Sequence, residues 1–468
     1  MTEQDYLQLA AQRGMAYRQT VNEQNPYPRA NTEELRALFD TGLPEHPRPG
    51  NEVLTQLADA AEAGLVAASG DAFYGWVMGA SDPVGTAADW LTSAWGQNSA
   101  IYQTAPSAAI AEEIAGKYLI DLLCLPAQSS FAFTTGATVA SFIGLAAARS
   151  EILHRQGWDL EKQGMFGAPE IPVLLSKEAH SAISVALRYL GFGSNCLHRI
   201  KADADGRMRP DDLAEKLAKL NCPSIVIAQS GHINTGACDN LDEIGDLTLK
   251  HAAWLHVDGA FGLWASASPT HAHLCAGVEK ADSWAVDGHK WLQVPFDSGF
   301  AFVKNKDAHC RAMAMTAGYL NETPEDGRNP TYYSLELSRR ARGFSVWAVL
   351  QSLGRAGVRE IVDGNCNNAT RLAKILVAVP GIRLLHNVVL NQVSLVFEDP
   401  DSGVARTVAV VEALQKDGRW FVKEAQWRDE TIMRLSFSST TKTDAQIDEF
   451  GAAILACWEE VMLWTGRS

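Results

Sequence analysis

The chain has 468 residues, 47% hydrophobic and 20% charged, an ordinary composition for a folded protein and enough length for two or three lobes. Its 40 Lys and Arg against 55 Asp and Glu leave a formal charge of -15 with no basic block, which excludes a nucleic-acid face and disfavours an anionic membrane surface. None of its 8 cysteines forms a C-x-x-C pair, so a zinc ribbon is excluded, no metal site is expected, and the scattered thiols suit a reducing cytoplasm.

Met1 to Gly14 is polar, without the apolar core of a secretory signal, and no apolar run reaches the length of a membrane span. Residues 1–95 read as an N-terminal arm. The stretch from Asn25 to Asn51 carries Pro26, Pro28, Pro44, Pro47 and Pro49, a density that breaks regular structure. The aromatic patch Phe73-Tyr74-Gly75-Trp76 follows, which suits an arm that packs on something, a partner subunit included.

From Ser107 the pattern becomes regular, and residues 96–354 read as one large domain. Ile110, Ile114, Tyr118 and Leu122 recur every four residues, as on one face of a helix. Short apolar runs then alternate with helical stretches. Strands are expected at Ile171 to Leu175, Ser224 to Ala228, Trp254 to Val257, Ser283 to Val286 and Gly299 to Val303, with helices at Pro210 to Leu220 and Leu241 to His251. That alternation predicts an α/β fold with a mostly parallel sheet, whose ligands sit beyond the carboxyl ends of the strands. After about Gly354 the texture changes. A helix over Ala369 to Val377, strands at Val393 to Phe397 and Ile432 to Phe437, and a last helix over Asp444 to Leu463 predict a small α+β domain, residues 355–468.

Three features fall at strand ends or helix starts. Phe133-Thr134-Thr135-Gly136-Ala137-Thr138 precedes an Ala-rich helix, whose first N–H groups suit an anion such as phosphate. A hydroxyl that merely caps the helix is the commoner use of Thr135 or Thr138. Trp254-Leu255-His256-Val257-Asp258-Gly259-Ala260 ends an apolar strand in an acid and two small residues. The acid suits a protonated ring nitrogen and the small pair a flat ligand, with a turn aspartate as the even alternative. Asp287-Gly288-His289-Lys290-Trp291-Leu292 sets a lysine among apolar residues, where desolvation frees the amine as a nucleophile.

At this order and spacing the three features resemble the group II pyridoxal-phosphate-dependent decarboxylases, a family that includes the aromatic-L-amino-acid, glutamate and 2,4-diaminobutyrate decarboxylases. The resemblance runs from about Phe73 to the last helix and is most specific from Glu279 through His289-Lys290-Trp291-Leu292 to Phe296-Asp297. Ala179-His180-Ser181 is similar to the family's segment with a histidine stacked on the cofactor. Ala87-Ala88-Asp89-Trp90 and Trp95-Gly96-Gln97-Asn98 resemble the arm of its bacterial branch. The resemblance implies the fold type I architecture and pyridoxal 5'-phosphate held by Lys290 as a Schiff base. It implies Asp258 on the pyridinium nitrogen, with His180 and Ala260 on the two ring faces. Ala137 and Thr138 would lie at the phosphate, with His289 and Asp287 nearby.

It also implies a homodimer, a side-chain pocket from Phe73, Tyr74 and Trp76, and a catalytic tyrosine in the stretch from Asn321 to Arg340, whose polar first part, Asn321 to Pro330, reads as a lid. Tyr333 is the first choice for that tyrosine and Tyr332 the second. The chain departs from the family pattern at Ala137-Thr138-Val139-Ala140, at Asp287-Gly288 and at Gly231-His232-Ile233-Asn234-Thr235-Gly236, and these changes bear on the substrate. The expected reaction is decarboxylation of an L-amino acid, with an aromatic side chain suited to the aromatic arm. A carbon–carbon lyase or aldolase, an aminotransferase that uses Arg434 for a carboxylate, and a scaffold that merely kept the fold are the alternatives.

Overall fold

The computed structural model describes residues 2–314 and 327–465. The arm is helical: α1 (Glu3–Thr20), α2 (Thr32–Phe39), α3 (Gly50–Glu62) and α4 (Pro83–Trp95). Helix α2 lies inside the proline-rich stretch that the sequence marks as irregular. Asn31 accepts from Glu33 and Glu34 N–H while Glu34 reaches back to the Asn31 N–H, and this capping box starts the helix between Pro28 and Pro44. The remaining prolines do break structure: Pro44 and Pro47 lie in the irregular run before α3, and Pro49 is its N-cap.

The central part comprises α5 (Pro106–Leu122), β1 (Ser130–Thr134), α6 (Ala137–Arg155), α7 (Leu160–Gln163), β2 (Val173–Ser176), α8 (Ser181–Tyr189) and β3 (Leu197–Ile200). It continues with α9 (Pro210–Leu217), β4 (Ile225–Gln229), α10 (Leu241–Lys250), β5 (Trp254–Asp258), β6 (Ser283–Asp287), β7 (Gly299–Val303) and α11 (Lys306–Met313). The seven strands form one sheet in the order β1-β7-β6-β5-β4-β2-β3. Six run parallel, and β7 alone is reversed between β1 and β6. Strands β1, β2, β5, β6 and β7 are buried along their whole length, which explains their unbroken apolar runs. The five expected strands are present within two residues at each end, and β1 and β3 are additional.

Helix α12 (Gly343–Leu376) is interrupted at Gly354, where φ is 57° and ψ is -177°. Beyond it come β8 (Ile382–Leu384), β9 (Gln392–Phe397), α13 (Thr407–Asp417), β10 (Lys423–Trp427), β11 (Glu430–Ser436) and α14 (Asp444–Thr465). The four strands form an antiparallel sheet in the order β10-β11-β9-β8, packed against α13 and α12, with α14 lying on those two helices. Among the described residues no helix is long and apolar enough to cross a membrane, and no cluster of His, Cys, Asp and Glu could hold a metal ion.

Helix α5 is where its spacing places it, but its buried face is a different one. Ile110 is 43% exposed and Tyr118 39%, while Ala108, Ala109, Glu112, Ala115, Gly116 and Leu119 face inward. Small residues line that face because α5 lies close to its neighbours. A Cβ on Gly116 would meet the Phe131 ring, and one on Gly343 would sit 2.8 Å from the Glu112 nitrogen. Glu112 is itself buried and pairs with two arginines, Arg328 at 3.0 Å and the equally buried Arg339. Arg339 also donates to the carbonyls of Ser99 and Phe133, and Arg328 to that of Phe131, so the triad joins α5, β1 and the segment before α12. Removing one member leaves buried charge unpaired. Glu112→Ala is therefore expected to destabilise the protein by about 3–5 kcal/mol, read as a lower urea midpoint, with Glu112→Gln less affected.

Candidate active site

Each candidate cofactor residue sits at or just beyond a carboxyl end of the parallel strands or at the helix start that follows. Helix α6 begins at Gly136 with no side-chain cap, so among the described residues neither Thr135 nor Thr138 takes the capping role. The Thr134 hydroxyl instead donates to the Gly136 carbonyl at 3.1 Å. The Ala137 N–H donates to Asp287 Oδ1 at 2.5 Å. The rest of this first turn faces the cavity, the arrangement that suits an anion at a helix N-terminus.

Asp287 ends β6 and is buried. Its Oδ2 lies 2.9 Å from Lys290 Nζ, and its Oδ1 lies 3.7 Å from His289 Nε2. Burial pushes the His289 imidazole below its usual pKa, against the pull of Asp287. The ring is set by Ser298 N–H, which donates to Nδ1 at 3.3 Å, and by Phe296, 4.4 Å away between centroids. Asp258 ends β5 and is also buried, yet among the described residues its carboxylate accepts one hydrogen bond, from the Ala260 N–H at 3.2 Å. Burial raises its carboxyl above the ordinary range, with His180 and Lys290 acting in the opposite direction. An under-satisfied carboxylate facing a cavity favours a cationic or protonated ligand. His180 caps α8, its Nδ1 accepting from Ala182 N–H at 3.3 Å, and its side chain is exposed.

Lys290, Asp258, Ala260, His180, Ala137, Thr138, His289 and Asp287 line one cavity of about 330 Å³, joined by Thr135, Gly136, Val139, Ser141 and Ala182. Thr135 and Gly136 stand inside the motif that leads into α6, while Val139, Ser141 and Ala182 carry no chemistry that would single them out in a sequence. The uncapped helix start, the small residue at 260 and the buried Asp258 are the features a flat phosphorylated cofactor with a protonated ring nitrogen requires. The arm touches the same site, since a Cβ at Gly79 would lie 2.1 Å from the Lys290 carbonyl oxygen.

The remaining candidates lie outside that cavity lining. Tyr74 is buried and stacked 4.1 Å from Phe450, and Phe73 stacks 4.3 Å from Phe421, so both pack onto the C-terminal unit. Trp76 differs: its φ is 51° and its side chain is 48% exposed. Tyr333 is buried, with its ring between the Arg328 guanidinium and His309 and its hydroxyl on the Cys310 thiol. Tyr332 ends the short turn before it. Of the polar segment, Asn321 to Asp326 lies outside the described residues. Arg434 on β11 donates to Asn234 Oδ1 at 3.2 Å.

Residues 32–397 match the model of the pyridoxal-dependent decarboxylase conserved domain. The acidic amino acid decarboxylase GADL1 of Bos taurus is 28% identical over 74% of this chain and 66% of its own length. The aromatic-L-amino-acid decarboxylase of Bacillus atrophaeus is 30% identical over 62% of this chain and 60% of its own. The chain thus spans a little under two thirds of the curated relatives it matches. The crystal structure of Oryza sativa TDC with PLP and tryptamine superposes with a TM-score of 0.91 at 21% identity, covering 98% of each chain. That of mouse CSAD superposes with a TM-score of 0.88 at 22% identity, covering 97% of this chain and 98% of the other. These likenesses show the shared fold, that of the fold type I pyridoxal-phosphate enzymes.

The raised pKa of Asp258 has a signed consequence for stability. A carboxyl that binds its proton more tightly folded than unfolded makes the protein lose stability as pH rises above the unfolded value of about 4. Asp258→Asn removes that loss. The cofactor-free variant is expected to melt above the parent at pH 7, with the gap closing near pH 3, in paired calorimetric scans.

Proposed function

Because the chain belongs to the pyridoxal-dependent decarboxylase family, whose cofactor is pyridoxal phosphate, we propose that it converts an L-amino acid to the amine and carbon dioxide with that cofactor on Lys290. The observation that carries the reading is the convergence of Lys290, Asp258, His180 and the uncapped start of α6 on one cavity. When bound, pyridoxal phosphate supplies the electron sink for the pair left by the departing carboxylate. In this reading Ala137 and Thr138 at the start of α6 would cradle the phosphate, with the Thr138 N–H as a donor because the Ala137 N–H is taken by Asp287, and His289 beside them. Asp258 keeps a proton on the ring nitrogen, where a desolvated ion pair is strong. Ala260 is small enough for a ring to lie against it, and His180 covers the opposite face. Asp287 Oδ2, 2.9 Å from Lys290 Nζ, sets the place of that nitrogen in the cavity. Lys290 and His180 line the cavity and are the favoured sources of the proton returned to the substrate α-carbon. Tyr333 and Tyr332 rest on the family resemblance alone for that role.

We propose an aromatic side chain on the substrate. Trp76 supports it: the exposed ring lies three residues before Gly79, which abuts the Lys290 loop. Phe73 and Tyr74 act behind it as packing. Borohydride reduction of the holoenzyme and peptide mapping are expected to place the label on Lys290, and mass spectrometry to find the amine. A label on Lys304 or Lys306 would overturn the site, and a keto acid or aldehyde product would overturn the reaction.

A cytoplasmic homodimer completes the reading. All 8 cysteines are unpaired, and Trp90, Leu91, Ile110 and Tyr118 leave apolar surface on α4 and α5 for a second copy. Sedimentation is expected to give twice the 50.8 kDa of one chain. Leu91→Asp, at a position 48% exposed in the single chain, should shift the protein toward monomer without unfolding it.

A further inference from the structure

The turn between β2 and α8 carries His180, and it is gripped from outside the large sheet. Glu178, in the middle of that turn, accepts from Trp427 Nε1 at 3.0 Å and from Arg428 Nε at 3.2 Å. Both donors belong to the tip of the β10–β11 hairpin, about 250 residues away in sequence and part of the antiparallel sheet. Arg428 also donates to the carbonyls of Asp203 at 2.7 Å and Ala204 at 3.2 Å, so one guanidinium ties the hairpin to two loops of the large sheet. Its carbon lies 4.5 Å from the Trp427 ring centroid. His232, buried, approaches the same Glu178 carboxylate at 3.8 Å.

Two features indicate that this contact is more than surface decoration. Arg428 has a φ of 54°, in the left-handed region that favours glycine, so the turn retains a long side chain at a position that disfavours one. Glu178 is only 15% exposed, and burial alone would raise its carboxyl. The Trp427 and Arg428 bonds reverse the sign and hold it below the ordinary value. The rest of the turn is pinned locally. Glu178 N–H donates to Ser176 Oγ at 3.1 Å and Ala179 N–H to the Ser176 carbonyl at 3.1 Å, which leaves little slack between Glu178 and His180.

We propose that Glu178 is a positioning residue through which the β10–β11 hairpin, by Trp427 and Arg428, sets the place of the His180 ring over the cavity. The inference rests on the decarboxylase reading and deepens it. It makes the C-terminal unit part of the active site without any of its residues touching substrate.

The test uses the holoenzyme and reads kcat, KM, cofactor dissociation and the visible circular dichroism of the bound cofactor. Glu178→Ala is expected to lower kcat about tenfold with little change in KM, since small misplacements of an aligned group act on the chemical step. It should also weaken cofactor binding about fivefold and reduce the dichroic band, by the same loss of alignment. Glu178→Gln keeps an acceptor for Trp427 and should stay close to the parent. Trp427→Phe should fall between the two, and the Glu178→Ala/Trp427→Phe double variant should be no worse than Glu178→Ala, as for two ends of one interaction. If Glu178→Ala does not fold, Trp427→Phe and Glu178→Gln carry the comparison. A lowered melting temperature with parent kcat and parent dichroism would make the contact structural only and overturn the proposal. A colourless, inactive parent would overturn the function proposed above and this inference with it. A yellow, active parent whose variants are indifferent overturns this inference alone.

Discussion

Two carboxylates buried at the ends of neighbouring parallel strands set the terms for the rest of the site. Asp258 and Asp287 close β5 and β6, and a buried carboxylate needs either a cation or several donors. The two are satisfied unequally. Asp287 has Lys290 and the first N–H of α6, so it fixes the lysine and ties β6 to that helix. Asp258 has one backbone donor and faces the cavity, so its charge is left for a ligand to meet. Parallel strands align their carboxyl ends, and that alignment brings residues from distant stretches within reach of one another.

Close backbone approach then fixes the walls. The reversed strand β7 starts at Gly299, which lies against the turn before α6: a Cβ there would sit 2.4 Å from the Gly136 Cα. Gly79 brings the arm onto the Lys290 loop by the same device. From the opposite direction the β10–β11 hairpin reaches Glu178 and the loop at 203–204. The arm, the large sheet and the C-terminal unit therefore all bear on one cavity, although its lining comes from the large sheet and its helices. The buried Glu112 triad does related work further out, holding α5 and β1 to the segment that precedes α12.

The strands β2, β4, β5, β6 and β7 are legible because each is a short apolar run bounded by polar or small residues. Lys290 and Asp258 are legible because they end such runs. His180 is not visible in that way. It is one polar residue among several, and only the family pattern singles it out. The arm misleads in two respects. Helix α2 starts from a capping box inside the proline-rich stretch, and the aromatic pair Phe73 and Tyr74 packs onto Phe421 and Phe450 of the C-terminal unit. Helix α5 shows the limit of periodicity. Spacing identifies the helix, but Ile110 and Tyr118 point outward while Leu119, Ile120 and Leu122 are buried beside the small residues of the inner side.

What the amino-acid order determines by itself is local: where strands and helices run, and which chemical groups stand at their ends, since both follow from periods of two and 3.6 residues and from caps. What the tertiary structure decides is which of those groups meet. Asp258 is buried at a cavity with one backbone donor to its carboxylate among the described residues only because the elements packed around β5 place it there. Glu178 meets Trp427 across 249 positions, and Glu112 meets Arg339 across 227. Such pairings depend on how the sheets and helices pack, and no local window of sequence carries that information.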